Sequence, residues 1–121
     1  MENKEVTKKM VNDMKEKFGE GMPKSIEYIA ELFPDSLAVQ RASSADSMYD
    51  PNSPFEQKIK TLIYLSAALA TNNQACIKAQ FNAALSQGAT KEEIIAVIKI
   101  VRHAASSGTY GNAEYILKNL I

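Results

Sequence analysis

One stretch of the chain, residues 54–105, constrains the fold more than any other. Between Ile59 and Ala70 apolar residues occupy most of a helical circumference, and Asn72 and Asn73 then interrupt the pattern. A helix that is apolar nearly all round is a buried one, so this segment is expected to form the core helix. Apolar residues return at helical spacing after the interruption, which predicts further helices packed against the first.

Helical spacing and helix-ending residues divide the whole chain into segments. Gly19 and Gly21 are expected to end the first helix, and Pro23 to open the second. The expected helices cover residues 4–18, 23–33, 34–45, 54–71, 74–86, 91–105 and 112–120. No stretch alternates between apolar and polar residues as a strand does. The sequence therefore predicts one all-α domain, residues 1–121, with about six to seven helices.

Two of these helix starts carry capping signatures. Ser53 can cap a helix that has Pro54 in its first turn and Glu56 three residues after the cap. Thr90 and Glu93 have the spacing of a capping box. At the other end of the last long helix, residues 106–108 (Ser-Ser-Gly) are expected to terminate it.

Composition narrows the classes of partner. The 121 residues include 14 basic and 14 acidic side chains, so no basic surface indicates nucleic-acid binding. No apolar run has the roughly 20 residues that a membrane span needs, and the charged start of the chain lacks the apolar core of a signal peptide. A single cysteine excludes an internal disulfide and fits a reducing cytoplasm. One cysteine and one histidine do not supply a zinc site, and no cofactor-binding motif is present.

Cys76 is the first candidate for chemistry. It lies near the start of an expected helix, where free N–H groups and a partial positive charge favour a thiolate. Cys76 is therefore a candidate nucleophile or redox thiol. The alternative is a small buried apolar residue, which is the commonest role of a lone free cysteine.

The order of features around Cys76 resembles the carboxymuconolactone decarboxylase and AhpD-like family. These features are an apolar helix, a polar break, a cysteine at the next helix start and the segment GATKEEII at residues 88–95. The resemblance is strongest over residues 53–112. It implies an AhpD-like helical bundle that forms homo-oligomers, trimers or hexamers, through its apolar helices.

The resemblance also implies roles for single residues. In AhpD-like peroxidases Cys76 corresponds to the second cysteine of a C-x-x-C pair and Gln80 to a histidine. Asn73 corresponds to the first cysteine and is here a candidate binding residue. A proton-relay glutamate of that group falls at about Thr61. This chain is thus a divergent member without the pair, and a catalytic cycle at Cys76, with Gln80 in support, needs an external thiol or another subunit. Decarboxylase members carry a histidine at the Gln80 position, and an amide cannot act as acid or base near neutral pH.

Three further residues are candidates near the end of the expected sixth helix. His103, the only histidine, is either a general base in a pocket or subunit interface, or a solvated residue that complements the helix dipole. Residues 108–112 resemble the turn after the family's sixth helix. Tyr110 and Asn112 there are either hydrogen-bonding groups of a pocket wall or parts of a helix end and a following cap.

Two hypotheses for function follow. In the first, the protein is an enzyme with single-cysteine, peroxiredoxin-type antioxidant or redox activity at Cys76. In the second, it is a non-catalytic member that binds a small molecule or serves assembly, with Cys76 in the core. A lyase that decarboxylates a small carboxylated lactone is a further alternative. The expected partners are a small-molecule substrate or ligand and further copies of the chain, with neither nucleic acid nor a membrane.

Overall fold

Seven α-helices make up the part of the chain that the structure describes. The computed structural model of the protein describes residues 2–19, 22 and 24–121, with side chains from residue 5 to 16 and from residue 19 onward within those ranges. The helices are α1 (Glu2–Phe18), α2 (Lys24–Leu32), α3 (Pro34–Asp46), α4 (Gln57–Ala70), α5 (Gln74–Ser86), α6 (Lys91–Asn112) and α7 (Glu114–Leu120). No strand occurs over these residues, which confirms the all-α prediction.

The helices are arranged in two halves. In the first half α1, α2 and α3 pack on one another, and in the second half α4 packs against α5 and α6. Between the described helices of the two halves, close backbone approach is made by α1 and α5. The irregular segment 47–56 connects α3 to α4. The seam between the halves is therefore held at one helix pair, which leaves room for a cavity beside it.

The second half is packed with small side chains. Its buried apolar residues are Leu65 and Ala68 of α4, Ala79, Ala83 and Ala84 of α5, Ala89, and Val97 of α6. Alanine at these positions lets the helix backbones approach closely. Thr61 is buried in the same core, and its hydroxyl has no hydrogen-bond partner among the described residues. The expectation that α4 is buried all round is wrong on one side, where Ile63 is 49% exposed.

The turn between α4 and α5 fixes the start of α5. Asn72 adopts a left-handed conformation with φ of 55°. This conformation is more accessible to asparagine than to most residues, because its short polar side chain can hydrogen-bond locally. Asn73 then caps α5, since its Oδ1 accepts a hydrogen bond from the Cys76 backbone N–H at 3.3 Å. The cysteine therefore occupies the first turn of α5, as the sequence predicts.

The predicted capping box opens α6. Thr90 Oγ1 accepts from the Glu93 backbone N–H at 3.1 Å, and Glu93 Oε1 accepts from the Thr90 backbone N–H at 2.9 Å. Lys58 of α4 lies 3.1 Å from Glu93 Oε2, which ties α4 to α6. The Thr90 N–H, followed by the Lys58 ammonium, holds the pKa of Glu93 below its usual range.

The predicted start of α4 is wrong by three residues. The helix begins at Gln57 with Glu56 as the N-cap residue, and no side-chain cap is present there. Ser53 Oγ instead accepts from the Phe55 backbone N–H at 3.2 Å. The serine therefore stabilises a local turn before the helix, and Pro54 lies in that turn.

The predicted end of the sixth helix is also wrong. α6 continues through Gly108 and Gly111 to Asn112, and Ala113 alone separates it from α7. Neither glycine has the positive φ that ends a helix at Gly88. The hydroxyls of Ser106 and Ser107 bond back to the His103 carbonyl, a geometry compatible with a continuing helix.

The described side chains of α1 bury one face of the helix only in part. Val11 is buried and Met10 and Met14 are half-buried, whereas Val6 is exposed and Thr7 is buried in its place. The third helix matches its predicted bounds within one residue. Gly21 and Pro23, which are predicted to separate the first two helices, lie outside the described residues, as does the side chain of Phe18.

The chain exposes much more surface than a compact monomer of its size. Its accessible surface is 8970 Å², whereas a compact protein of 13.3 kDa has roughly 6,500 Å². Much of the exposed apolar surface lies on the end of α6 and on α7, where Tyr110, Tyr115 and Leu120 are each more than three-quarters exposed. Within the described chain, no helix has both the length and the apolarity to cross a membrane.

Candidate functional site

Cys76 lies at the seam, on the side of α5 that faces the first half. Its side chain is half-buried and lines a cavity. The Asn73 cap holds the backbone of this residue in the first helical turn. Cys76 is thus neither fully packed nor fully solvated, and the structure gives it a rigid backbone and an open side.

Tyr64 of α4 is the partner of Cys76. The Tyr64 hydroxyl lies 3.2 Å from Cys76 Sγ, within hydrogen-bonding distance for sulfur. This hydrogen bond, followed by partial burial and the charge of the cysteine, raises the pKa of Tyr64 to about 12. Below about pH 12 Tyr64 therefore keeps its proton. When Cys76 is a thiolate, the Tyr64 O–H donates a hydrogen bond to its sulfur.

A cavity of about 410 Å³ opens beside this pair. Its floor comes from the second half, with Tyr64, Cys76, Ala79 and Gln80. The opposite wall comes from the first half and the turn that follows α3. The apolar residues of that wall are Met10, Met14, Ile26, Leu37, Ala45 and Met48. The volume falls in the range of small-molecule sites, and most of the lining is apolar.

Polar groups occupy the edge of the cavity on the first half. They are Asp13 of α1, Gln40, Arg41 and Ser44 of α3, and Tyr49, which follows α3 in the chain. Asp13 and Arg41 are the charged residues among the described lining, and their charges are opposite. The cavity therefore has an apolar body, a thiol at its floor and a rim of no net charge.

Gln80 shares the cavity with Cys76, one helical turn further along α5. Its residue is 8% exposed, so the amide lies against the floor rather than in solvent. Thr61 lies one turn before Tyr64 on α4 and is only 1% exposed. The structure thus brings Cys76 and Gln80 together, and it adds Tyr64 to them.

The remaining predicted site residues lie elsewhere. Asn73 is exposed and acts as the cap of α5. His103 is exposed on α6 and does not line the cavity. Tyr110 and Asn112 are exposed in the last turns of α6, so the expected turn that would form a pocket wall is helical instead. Within one chain, His103, Tyr110 and Asn112 are therefore not among the described residues that line the cavity, whereas Asn73 contacts the Cys76 backbone as its cap.

The described residues contain no cluster of three or more His, Cys, Asp or Glu side chains that could hold a metal ion. No residue of the cavity forms a glycine-rich cradle for a phosphate. The described lining instead offers one thiol, two phenols and two amides, and Tyr64 and Gln80 are the phenol and the amide that lie with Cys76 on the second half.

Tyr64 is the site residue that sequence reasoning missed. A signal for it exists, because Tyr64 follows Thr61 by three residues and precedes Ala68 by four on the buried face of α4. A tyrosine on a buried helix face usually finds a partner for its hydroxyl. Cys76 lies in the helix after the turn, within reach of such a group.

Comparison with known protein families identifies the family of this chain. The sequence profile of the Carboxymuconolactone decarboxylase family matches residues 34–118, which is well over half of the chain. The protein therefore belongs to the carboxymuconolactone decarboxylase family, as the sequence pattern around Cys76 indicates. The match includes α3 to α6 and every predicted site residue, while α1 and α2 lie outside it. A search of curated proteins found no match to the chain.

Proposed function

We propose that the protein is a single-cysteine thiol peroxidase of its family, which reduces a small apolar hydroperoxide. One observation carries the proposal: Cys76 Sγ lines an apolar cavity and lies 3.2 Å from the Tyr64 hydroxyl. A reactive thiol needs access to its substrate and a neighbour that stabilises the thiolate. The cavity supplies the access, and the O–H of Tyr64 supplies a hydrogen bond to the sulfur.

In the proposed reaction the Cys76 thiolate attacks the terminal oxygen of a hydroperoxide. The S–O bond forms as the O–O bond breaks, and the electron pair of the O–O bond leaves with the alkoxide. Tyr64 donates its proton to that alkoxide and is reprotonated from solvent. The products are a sulfenic acid at Cys76 and an alcohol.

An external thiol closes the cycle. It attacks the sulfenic sulfur, water leaves, and a mixed disulfide forms at Cys76. A second thiol molecule attacks the mixed disulfide, which releases the Cys76 thiol and the disulfide of the two external thiol molecules. The external thiol is the reductant, because one cysteine per chain provides no internal partner.

The test is consumption of cumene hydroperoxide in the presence of dithiothreitol, with trapping of the sulfenic acid by dimedone. The wild-type protein is expected to consume peroxide and to form one dimedone adduct at Cys76. Cys76→Ser is expected to abolish both, and Tyr64→Phe to slow the reaction by about tenfold because it removes the proton donor. Thr71→Ala, which removes an exposed hydroxyl away from the cavity, is the control. Peroxide consumption that is unchanged in Cys76→Ser would overturn the proposal.

Binding without turnover is the second candidate function. The apolar cavity favours it, because a site of this volume holds a small ligand whether or not the thiol reacts. A ligand that raises the melting temperature and protects Cys76 from alkylation, with no product formed, would support binding alone. The lyase alternative has less support, since the described lining carries an amide at Gln80 and no imidazole.

We also propose that the protein is a homo-oligomer. The support is the excess of exposed surface and its apolar character on α6, where Ile98 and Ile100 are more than half exposed. Large apolar surfaces of this kind mark protein interfaces. Light scattering at micromolar concentration is expected to give a multiple of 13.3 kDa. Ile98→Glu is expected to shift the mass toward the monomer, and Lys9→Glu on the exposed face of α1 to leave it unchanged. A monomeric wild-type protein would contradict the proposal.

The compartment and the domain organisation stay predictions. A free thiol that cycles through a sulfenic acid requires a supply of reduced thiols, which the cytoplasm provides. Residues 1–121 are taken as one functional unit, because the cavity draws its lining from both halves.

A further inference from the structure

We propose that α1 and α2 form the wall that selects which molecules reach Cys76, and that this wall favours uncharged molecules with an apolar body. The inference rests on the proposed function in taking Cys76 as the reacting group. It adds the determinants of selectivity, which are Met10 and Met14 of α1 and Ile26 of α2.

The position of these residues is the first observation. Met10, Met14 and Ile26 line the cavity across from the floor that carries Cys76 and Tyr64. All three precede residue 34, where the family match begins. The reacting pair thus belongs to the matched part of the chain, while one side of the cavity is built by helices outside it.

The chemistry of the wall is the second observation. Met48 joins Met10 and Met14, so three of the five methionines of the protein line this one cavity. Methionine is unbranched and polarisable, and it adapts to apolar partners of different shape. A wall of this kind favours apolar molecules as a class rather than one molecule of fixed outline.

The charge of the cavity is the third observation. Asp13 and Arg41, the charged groups of the described lining, lie exposed at the edge and have opposite signs. The rim therefore favours the binding of neither anionic nor cationic substrates. A charged group that enters would lose hydration against methionine and isoleucine side chains, which disfavours its entry.

The attachment of the wall is the fourth observation. No residue of α2 is fully buried, and α2 packs on α1 and α3 but not on the second half. Of the described side chains of α1, Thr7 and Val11 are fully buried. Elements with few buried contacts shift at low cost. The wall can therefore adjust to a bound molecule while the Tyr64–Cys76 pair stays fixed on α4 and α5.

The experiment compares the alkylation of Cys76 in the full-length protein by N-ethylmaleimide, N-phenylmaleimide and maleimidopropionate. Each rate is divided by the rate of the same reagent with glutathione, which removes differences in intrinsic reactivity. The normalised rate is expected to be about tenfold higher for N-phenylmaleimide than for N-ethylmaleimide, because the ring buries more apolar area. Maleimidopropionate is expected to be the slowest.

Substitutions in the wall test whether it causes the preference of Cys76 for N-phenylmaleimide. Met14→Ala and Ile26→Ala are each expected to lower the preference for N-phenylmaleimide by about threefold, since each removes apolar contact area. Met14→Leu keeps the contact and is expected to retain the preference. Met22→Ala is the matched control, because Met22 is half-buried but does not line the cavity. Circular dichroism of each variant checks that the helices are intact.

Equal normalised rates for the three reagents would overturn the inference. So would a preference that is unchanged in both Met14→Ala and Ile26→Ala. Alkylation needs no peroxide, so the two proposals can fail separately. A preference for N-phenylmaleimide without peroxide consumption would support the wall and contradict the peroxidase proposal. Peroxide consumption without such a preference would support the peroxidase proposal and contradict the wall. A native Cys76 that reacts with no maleimide would overturn both.

Discussion

The two halves of the molecule differ in the side chains that pack between their helices. The second half buries mainly alanines between α4, α5 and α6, so its backbones lie close and its side chains have little freedom. The first half packs longer side chains, and several of them face the cavity rather than a neighbouring helix. In the proposed function the reacting pair, Tyr64 and Cys76, lies on the tightly packed half, and the proposed wall of α1 and α2 lies on the loosely packed one. Under these two proposals, the fixed position of the thiol and the tolerance toward a substrate belong to different helices.

The strongest test of this contrast compares the truncation of one apolar side chain in each half. Leu65→Ala is expected to cost about 3 kcal/mol of unfolding free energy, because Leu65 is 3% exposed among alanines that cannot close the gap. Ile26→Ala is expected to cost about 1 kcal/mol, since Ile26 is only half-buried. Urea unfolding followed by circular dichroism measures both, at one protein concentration because assembly affects stability. Equal costs would mean that the halves are packed alike.

A smaller effect is expected at the start of α6, which the capping box ties to the second half. Thr90→Ala removes the acceptor for the Glu93 N–H and should cost about 1 kcal/mol. Thr71→Ala is the matched control, because that hydroxyl bonds back to the Ala67 carbonyl of its own helix and is exposed. Urea unfolding is expected to show a larger loss of unfolding free energy for Thr90→Ala than for Thr71→Ala. An equal cost would show that the box adds nothing to the rigidity of the second half.

A gain in stability is expected from Thr61→Val. The substitution keeps the shape of the side chain and removes a buried hydroxyl that has no partner among the described residues. The expected gain is up to about 1 kcal/mol, the usual penalty of such a group. Thermal unfolding checks it, with Thr71→Val as the exposed control. A loss of stability would reveal a partner for this hydroxyl, and with it a polar element in the alanine-packed core.

A further effect is expected in the pH dependence of stability. Folding raises the pKa of Tyr64 from about 10 to about 12, so the folded state holds this proton more tightly than the unfolded chain. The associated stability is complete below pH 10 and is lost as the pH rises through 12. Tyr64→Phe should therefore flatten the decline between pH 10 and pH 12. Tyr115→Phe, at an exposed tyrosine of α7, should leave the decline unchanged.

The sequence predicted best those features that depend on neighbouring residues. The capping box at Thr90 and the position of Cys76 in the first turn of α5 both follow from short spacings, and both are confirmed. The end of α6 was predicted wrongly, because a glycine ends a helix only when its backbone leaves the helical region. Gly108 and Gly111 remain helical, at a cost of roughly 1 kcal/mol each relative to alanine.

The candidate site was predicted only in part, for a similar reason. Cys76 and Gln80 share a face of one helix, so spacing alone brings them together. Tyr64 reaches Cys76 through the angle between α4 and α5, and Met10 and Met14 reach the cavity through the packing of α1 on α5. Such angles depend on which side chains fill the seam. Periodicity identifies the faces of helices, but it does not say which faces meet.

The turn at Asn72 has a consequence for the order of events during refolding. Tyr64 and Cys76 are 12 residues apart, and the left-handed asparagine between them reverses the chain within a helical hairpin. Loops of this length close in roughly 10–100 ns, far faster than distant segments find one another. The hairpin is therefore expected to form before α1 reaches α5 across some sixty residues of chain. A refolding molecule would then pass through a stage in which its thiol already has its hydrogen-bond donor but is open to every electrophile in solution.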